Sequence, residues 1–234
     1  GANDGCLRLW DVGSGAEIRQ FLGHASIIWG VAVSPDGRQA LSGGMDYDLR
    51  LWDLESGECI KILKGHKKFI YSVAFTPDGR SALSGGDDED LYLWDLTKGV
   101  LERKLAGHGA RINCIAVAPD GRYALTVGDD ELVLYWDLRK KSLDRELTGH
   151  RGEVRAAVIT PDGRFAFTAG KDATLRLWEL GSGDCLRTIS AHQNMITALA
   201  LSSQGDILLS GSVDTNLKAW ELTWDYNFGW GLFR

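Results

Sequence analysis

Serine or threonine, histidine and aspartate are the side chains of an acyl-transfer triad: nucleophile, general base and orienting carboxylate. This sequence carries such sets as His24 with Ser42 and Asp46, and as His66 with Ser84 and Asp88. It repeats them as His108 with Thr126 and Asp130, His150 with Thr168 and Asp172, and His192 with Ser210 and Asp214. The internal spacing is the same in all five. Catalysis needs one asymmetric constellation, so five equivalent copies point to a structural role. The sets use every histidine of the chain, which leaves none for a zinc site or as a general base. Cysteines 6, 59, 114 and 185 form no Cys-x-x-Cys pair and read as free thiols in a reducing cytoplasm. The run Asp87-Asp88-Glu89-Asp90 lacks the ligand spacing and terminal Glu of a calcium loop and reads as a solvated turn. With no Gly-x-Gly-x-x-Gly and no Walker loop, no cofactor is expected.

The elements that position these sets follow from composition and period. The 234 residues include 29 Gly and 9 Trp, and 26 Lys plus Arg against 32 Asp plus Glu give a net charge of −6. That balance lacks the basic footprint of a nucleic-acid binder. No apolar run is long enough to span a membrane, and no charged segment leads into an apolar one at the N-terminus, so a cytoplasmic location is expected. The five histidines recur every 42 residues, as do six tryptophans (10, 52, 94, 136, 178 and 220) and all four prolines, each opening Pro-Asp-Gly-Arg. One period reads as four short strands. Val31 and Val33 come first, then Ala40-Leu41-Ser42 after a Ser-Pro-Asp-Gly turn. Leu49-Arg50-Leu51-Trp52 alternates with period 2, and the fourth strand lies near Cys59–Leu63. Such a unit is an antiparallel meander with the length of a propeller blade.

Five Gly/Ala-His pairs and six Trp-Asp/Glu pairs in one register make the sequence resemble the WD-repeat (WD-40) β-propeller family over residues 1 to about 222. The resemblance implies an all-β propeller of four-stranded antiparallel blades, four complete and two partial. The units are 1–23 (partial), 24–65, 66–107, 108–149, 150–191 and 192–222, with a tail at 223–234. It also implies that each hydroxyl–His–Asp set extends to the unit's Trp (Trp52, Trp94, Trp136, Trp178, Trp220) as a buried hydrogen-bonded tetrad. The first unit keeps only Asp4 and Trp10. The departures are Ser203-Gln204-Gly205 for Pro-Asp-Gly, Ala191 before the last His, and Glu179 and Glu221 for Asp.

Function in such a scaffold belongs to positions that vary between units. The fourth residue after each His is aliphatic, but the next core positions are the seventh and ninth, a break in alternation that predicts a β-bulge. In the family, the third and fifth residues after His and the residue before the tetrad Asp face the top of the propeller. Here Ile27, Trp29, Met45, Phe69 and Tyr71 then form an apolar–aromatic patch over two adjacent blades, with Arg111 and Arg155 beside it. Aromatics with Arg are the usual composition of an interface hot spot. The alternative is that these rings pack the channel wall.

The expectation is a non-catalytic scaffold that binds a protein or peptide, but no nucleic acid or membrane, through its top face. A second reading is the sensor or regulatory module of a multidomain bacterial signalling or defence enzyme with its catalytic domain upstream. Supporting it, the segment from Glu221 to Trp230 resembles extensions that close such arrays. A third is a substrate receptor of a cullin ubiquitin ligase, from the signature Trp136-Asp137-Leu138-Arg139, although Arg139-Lys140-Lys141 reads more simply as an exposed turn. The partial first unit leaves ring closure to attached residues, the tail or another molecule.

Overall fold

The computed structural model describes residues 1–223, and the rest of the tail, with Trp224 and Trp230, lies outside the described residues. The described chain is an all-β propeller of four complete blades and two partial ones. The first complete blade is β3 (Ile28–Val33), β4 (Gln39–Gly44), β5 (Leu49–Asp53) and β6 (Cys59–Leu63). The second is β7 (Ile70–Phe75), β8 (Ser81–Gly86), β9 (Leu91–Asp95) and β10 (Val100–Leu105). The third is β11 (Ile112–Val117), β12 (Tyr123–Gly128), β13 (Val133–Asp137) and β14 (Ser142–Leu147). The fourth is β15 (Val154–Ile159), β16 (Phe165–Gly170), β17 (Thr174–Glu179) and β18 (Cys185–Ser190). A two-stranded sheet, β1 (Leu7–Trp10) with β2 (Glu17–Phe21), precedes them. A three-stranded one, β19 (Ile196–Leu201), β20 (Ile207–Ser212) and β21 (Leu217–Glu221), follows. No helix among the described residues is long and apolar enough to cross a membrane.

The Pro-Asp-Gly-Arg turns are closed by local chemistry. In each, the Asp carboxylate accepts the backbone N–H two residues on, as Arg38 to Asp36 at 3.1 Å and Arg164 to Asp162 at 3.0 Å. The Gly between them takes φ near +70°, a conformation that costs glycine nothing.

The core lies between blades. Alternation sends Leu41, Leu49 and Leu51 to one face of the first complete blade. There they pack on Ile70, Val73, Phe75 and Trp94 from the opposite face of the next blade. The inner strands β3, β7, β11, β15 and β19 lie side by side in order. The last sheet has an open face, where Leu217 is 72% exposed and its equivalent Leu175 is 1% exposed. The first complete blade is covered by the two-stranded sheet through Leu7 and Phe21, but Val33 on its inner strand is 57% exposed where Phe75 is 8% exposed.

Every complete inner strand starts with a bulge. Ile28 pairs with Gly44 and Gly30 with Gly43, so Trp29 is the extra residue; the same slip leaves out Tyr71, Asn113, Arg155 and Thr197. A bulged residue is re-aimed out of the sheet's alternation, and these are the fifth residues after each His.

Candidate interaction face

The frame of the site is the row of tetrads. In the first complete blade, Trp52 Nε1–H donates to Ser42 Oγ at 2.8 Å, and Ser42 Oγ lies 2.6 Å from His24 Nε2. His24 Nδ1 is 2.8 Å from Asp46 Oδ2, which also accepts the Ala25 N–H at 3.0 Å. With a neutral ring, every donor in this chain has one acceptor: Trp to Ser, Ser to His, His to Asp. The other four repeat it. His66 joins Ser84, Asp88 and Trp94; His108 joins Thr126, Asp130 and Trp136. His150 joins Thr168, Asp172 and Trp178; His192 joins Ser210, Asp214 and Trp220. The histidines are buried and both ring nitrogens of each are bonded, so none is free to accept a proton from a substrate.

The Asp of each tetrad fixes the loop above it. The carbonyl of the third residue after His accepts the N–H of the residue before the Asp: Ile27 from Met45 at 2.9 Å, Phe69 from Asp87 at 3.0 Å. The same bond joins Arg111 to Asp129 and Glu153 to Lys171. It clamps two of the three variable positions of each blade together, with the bulged residue beside them. The clamp has a steric requirement at its base, since a Cβ on Gly86 would lie 1.9 Å from the Phe69 carbonyl oxygen.

On this frame the side chains form one continuous band across the first three complete blades and into the fourth. Trp29 and Tyr71 stack face to face, with centroids 4.3 Å apart and planes 9° apart. Phe69 meets Trp29 edge-on at 5.4 Å, and Tyr47 lies against Phe69 at 5.7 Å. The Arg111 guanidinium covers Tyr71 at 4.6 Å and bonds Asp129 at 2.7 Å. Asn113 donates to the other oxygen of Asp129 at 2.7 Å and to the Val154 carbonyl at 2.8 Å. Arg155 reaches Asn113 at 3.2 Å and pairs closely with Glu153, which also takes Lys171 at 3.1 Å. Burial pushes the Asp87 carboxyl above its ordinary value; Asp129 and Asp88 act with it, while Arg111 and Lys68 oppose it.

Of the seven residues singled out from the sequence, the structure brings Trp29, Phe69, Tyr71 and Arg111 into direct contact. Arg155 joins them through Asn113 and Asp129. Ile27 and Met45 lie half-buried and are tied to each other by the backbone bond between them. Tyr47 was not distinguished by the spacing argument. It follows the tetrad Asp at φ 67°, a position held elsewhere by Glu89, Glu131, Ala173 and Thr215, and the signal that marks it is its being aromatic there. The band contains no nucleophile paired with a free base. Its chemistry is that of recognition: an apolar aromatic half, 39% exposed at Trp29 and 42% at Tyr47, continuous with a charged half.

A family model described as WD domain, G-beta repeat matches residues 15–53, 57–95, 99–137, 141–179 and 183–221. Each match holds the outermost strand of one blade and the three inner strands of the next, as 15–53 holds β2 to β5. Sequence repeats thereby staple consecutive blades. A comparison with curated proteins gave no match to the chain. Five matches cover most of the sequence, and the chain belongs to the WD40 repeat family.

Proposed function

We propose that this chain is a non-catalytic scaffold that holds a protein or peptide partner on the face carrying Trp29, Tyr47, Phe69 and Tyr71, with Arg111 and Arg155 at its charged end. Repeats of this family are in general protein-interaction scaffolds and are typically non-catalytic. The observation that carries the reading is Trp29: an exposed indole held between the edge of Phe69 and the face of Tyr71. A ring fixed in place before binding loses little entropy when a partner covers it, and Trp, Tyr and Arg dominate measured hot spots. These side chains stand at positions that the repeat leaves free to vary, so packing alone does not dictate them.

The test is capture of partners by the purified chain compared with Trp29→Ala/Tyr71→Ala. Loss of two anchor rings is expected to weaken a true partner on the order of 30-fold or more. A partner set identical in identity and amount for the two proteins removes the reading.

A further inference from the structure

The rim opposite the aromatic band carries the Pro-Asp-Gly-Arg turns, and between the third and fourth complete blades it opens into a cleft of about 350 Å³. A cleft of about 460 Å³ lies at the equivalent place between the second and third blades. The two differ where the repeat permits. Ser81 and Leu93 line the second; at the same positions one unit on, Tyr123 and Tyr135 line the first, stacked at 4.8 Å and 14°.

Three departures from the repeat converge in this one cleft. Tyr135 is 6% exposed, and its hydroxyl has no hydrogen-bond partner among the described residues. Other units place Leu51, Leu93 and Leu177 there, so packing has no need of the hydroxyl, which opens into the cleft that Tyr135 lines. Tyr123 is the second departure. The third is Ala118. In other units a hydroxyl two residues before the turn Asp donates to its carboxylate: Ser34 to Asp36 at 2.6 Å, Thr76 to Asp78 at 2.6 Å, Thr160 to Asp162 at 2.5 Å. Ala118 has none to give, and Asp120 accepts the Arg122 N–H at 2.9 Å alone among the described residues. Its carboxylate has unused lone pairs where the two clefts adjoin, since Asp120 lines both, but only the first cleft sets a tyrosine hydroxyl beside it.

The charge is lopsided. Asp120, Asp144, Asp162 and Glu179 line the cleft against Arg145 and Arg164. Arg145 is committed, to Asp144 at 2.9 Å and to the Gly181 carbonyl at 2.6 Å. Burial, with Tyr123, Asp120 and Asp144 adding to it, raises the Tyr135 phenol above its ordinary value, so it stays a neutral hydroxyl able to donate and accept. Tyr123 is already engaged by the Tyr135 ring and by the Arg122 guanidinium at 4.7 Å. The cleft therefore offers hydrogen-bond acceptors to a cation in preference to an open aromatic face.

We propose that this cleft is a second binding site, distinct from the aromatic band, that takes an arginine side chain of a peptide segment, with the guanidinium donating to the Asp120 carboxylate and the Tyr135 hydroxyl oxygen. A planar fork of five donors matches two such acceptors. A quaternary ammonium has no donors to give them.

The experiment is an amide-resonance titration of the whole chain with acetyl-Gly-Gly-Arg-Gly-Gly-amide, and with Gln, trimethyl-lysine or Glu in place of Arg. The Arg peptide is expected to shift Ala118, Gly163 and Gly181 saturably, leaving Thr76 and Ser81 of the neighbouring cleft in place, and the other three peptides to shift none. Tyr135→Phe keeps the ring, and Ala118→Ser restores the hydroxyl that other units carry, so both variants fold; each is expected to weaken the Arg peptide about tenfold. Equal shifts with the Gln or trimethyl-lysine peptide, stronger shifts with the Glu peptide, shifts in the neighbouring cleft, or an unchanged affinity in Tyr135→Phe each overturn the proposal. Trp29→Ala/Tyr71→Ala is expected to bind the Arg peptide as wild type does, so failure here and failure of the aromatic face are separate results.

Discussion

His66 shows why a tetrad tolerates no missing member. Its ring is buried, stacked on Tyr92 at 3.8 Å, and held between Ser84 and Asp88. Without the carboxylate, Nδ1–H has no acceptor and the Lys67 N–H loses one too. Asp88→Ala is expected to cost about 3 kcal/mol, a fall in Tm of roughly 6–12 °C for a chain of this size. A melting point within about 1 °C of wild type, measured by circular dichroism, sinks the tetrad as a stabilising unit. Acid acts on the same groups. Burial, opposed by Asp46 and Asp88, holds His24 and His66 below the ordinary imidazole value. As pH falls through about 6.5 the unfolded chain takes up protons before the folded one, so stability is full above that value and declines below it. The aspartates add a second loss. Burial pushes Asp46 up, but the Ala25 N–H and His24 outweigh it, so its folded value is lowered and stability is lost as pH falls below about 4. Tm is expected to drop between about pH 7 and 5 and again below about pH 4; a rise over the first interval contradicts the neutral-ring tetrad.

At the scale of elements, neighbouring blades exchange volume across one interface. Gly43 meets Ile70 and Gly85 meets Ile112, with a Cβ on either glycine falling 2.6 Å or 2.9 Å from the isoleucine. At the same step further on, Val127 shares a core cluster with Val154, and Ala169 with Ile196. Small beside large and medium beside medium fill the same space. Gly85→Val is therefore expected to overpack by about 1–3 kcal/mol, and Gly85→Val/Ile112→Val to recover part of it. Urea unfolding of the two proteins checks this, and a double variant no more stable than the single one refutes the exchange. The bulge at each inner strand was legible in the sequence as a break from alternation between the fourth and seventh residues after His. The particular clamp, carbonyl of the third residue to the N–H before the Asp, was not, because nothing in residue type marks a backbone-to-backbone bond.

For the whole molecule, stability resides in contacts between successive blades, and the cost of losing a side chain depends on which blade carries it. Leu175 and Leu217 occupy one repeat position, the first buried at 1% exposure and the second exposed at 72%. Leu175→Ala is expected to cost about 2–5 kcal/mol and Leu217→Ala well under about 1 kcal/mol. Equal costs in urea unfolding show that the face of β21 is covered in solution.

The sequence by itself determined the framework. A 42-residue period in His, Trp and Pro names the strands, the tetrads and the positions left free to vary, because equivalence under a repeat is a property of spacing alone. Only the tertiary structure decided which free positions meet. Trp29 stacks on Tyr71 and Arg111 bridges Tyr71 to Asp129, whereas Ile27 and Met45 are half-buried and joined by their backbone hydrogen bond. Likewise, Tyr135 turns a repeated groove into a distinct cleft with Asp120. Contacts between blades join residues about one period apart, and the period is silent on the outcome. Which of them touch is settled by side-chain size, rotamer and the bulge that aims each one, and these differ from blade to blade.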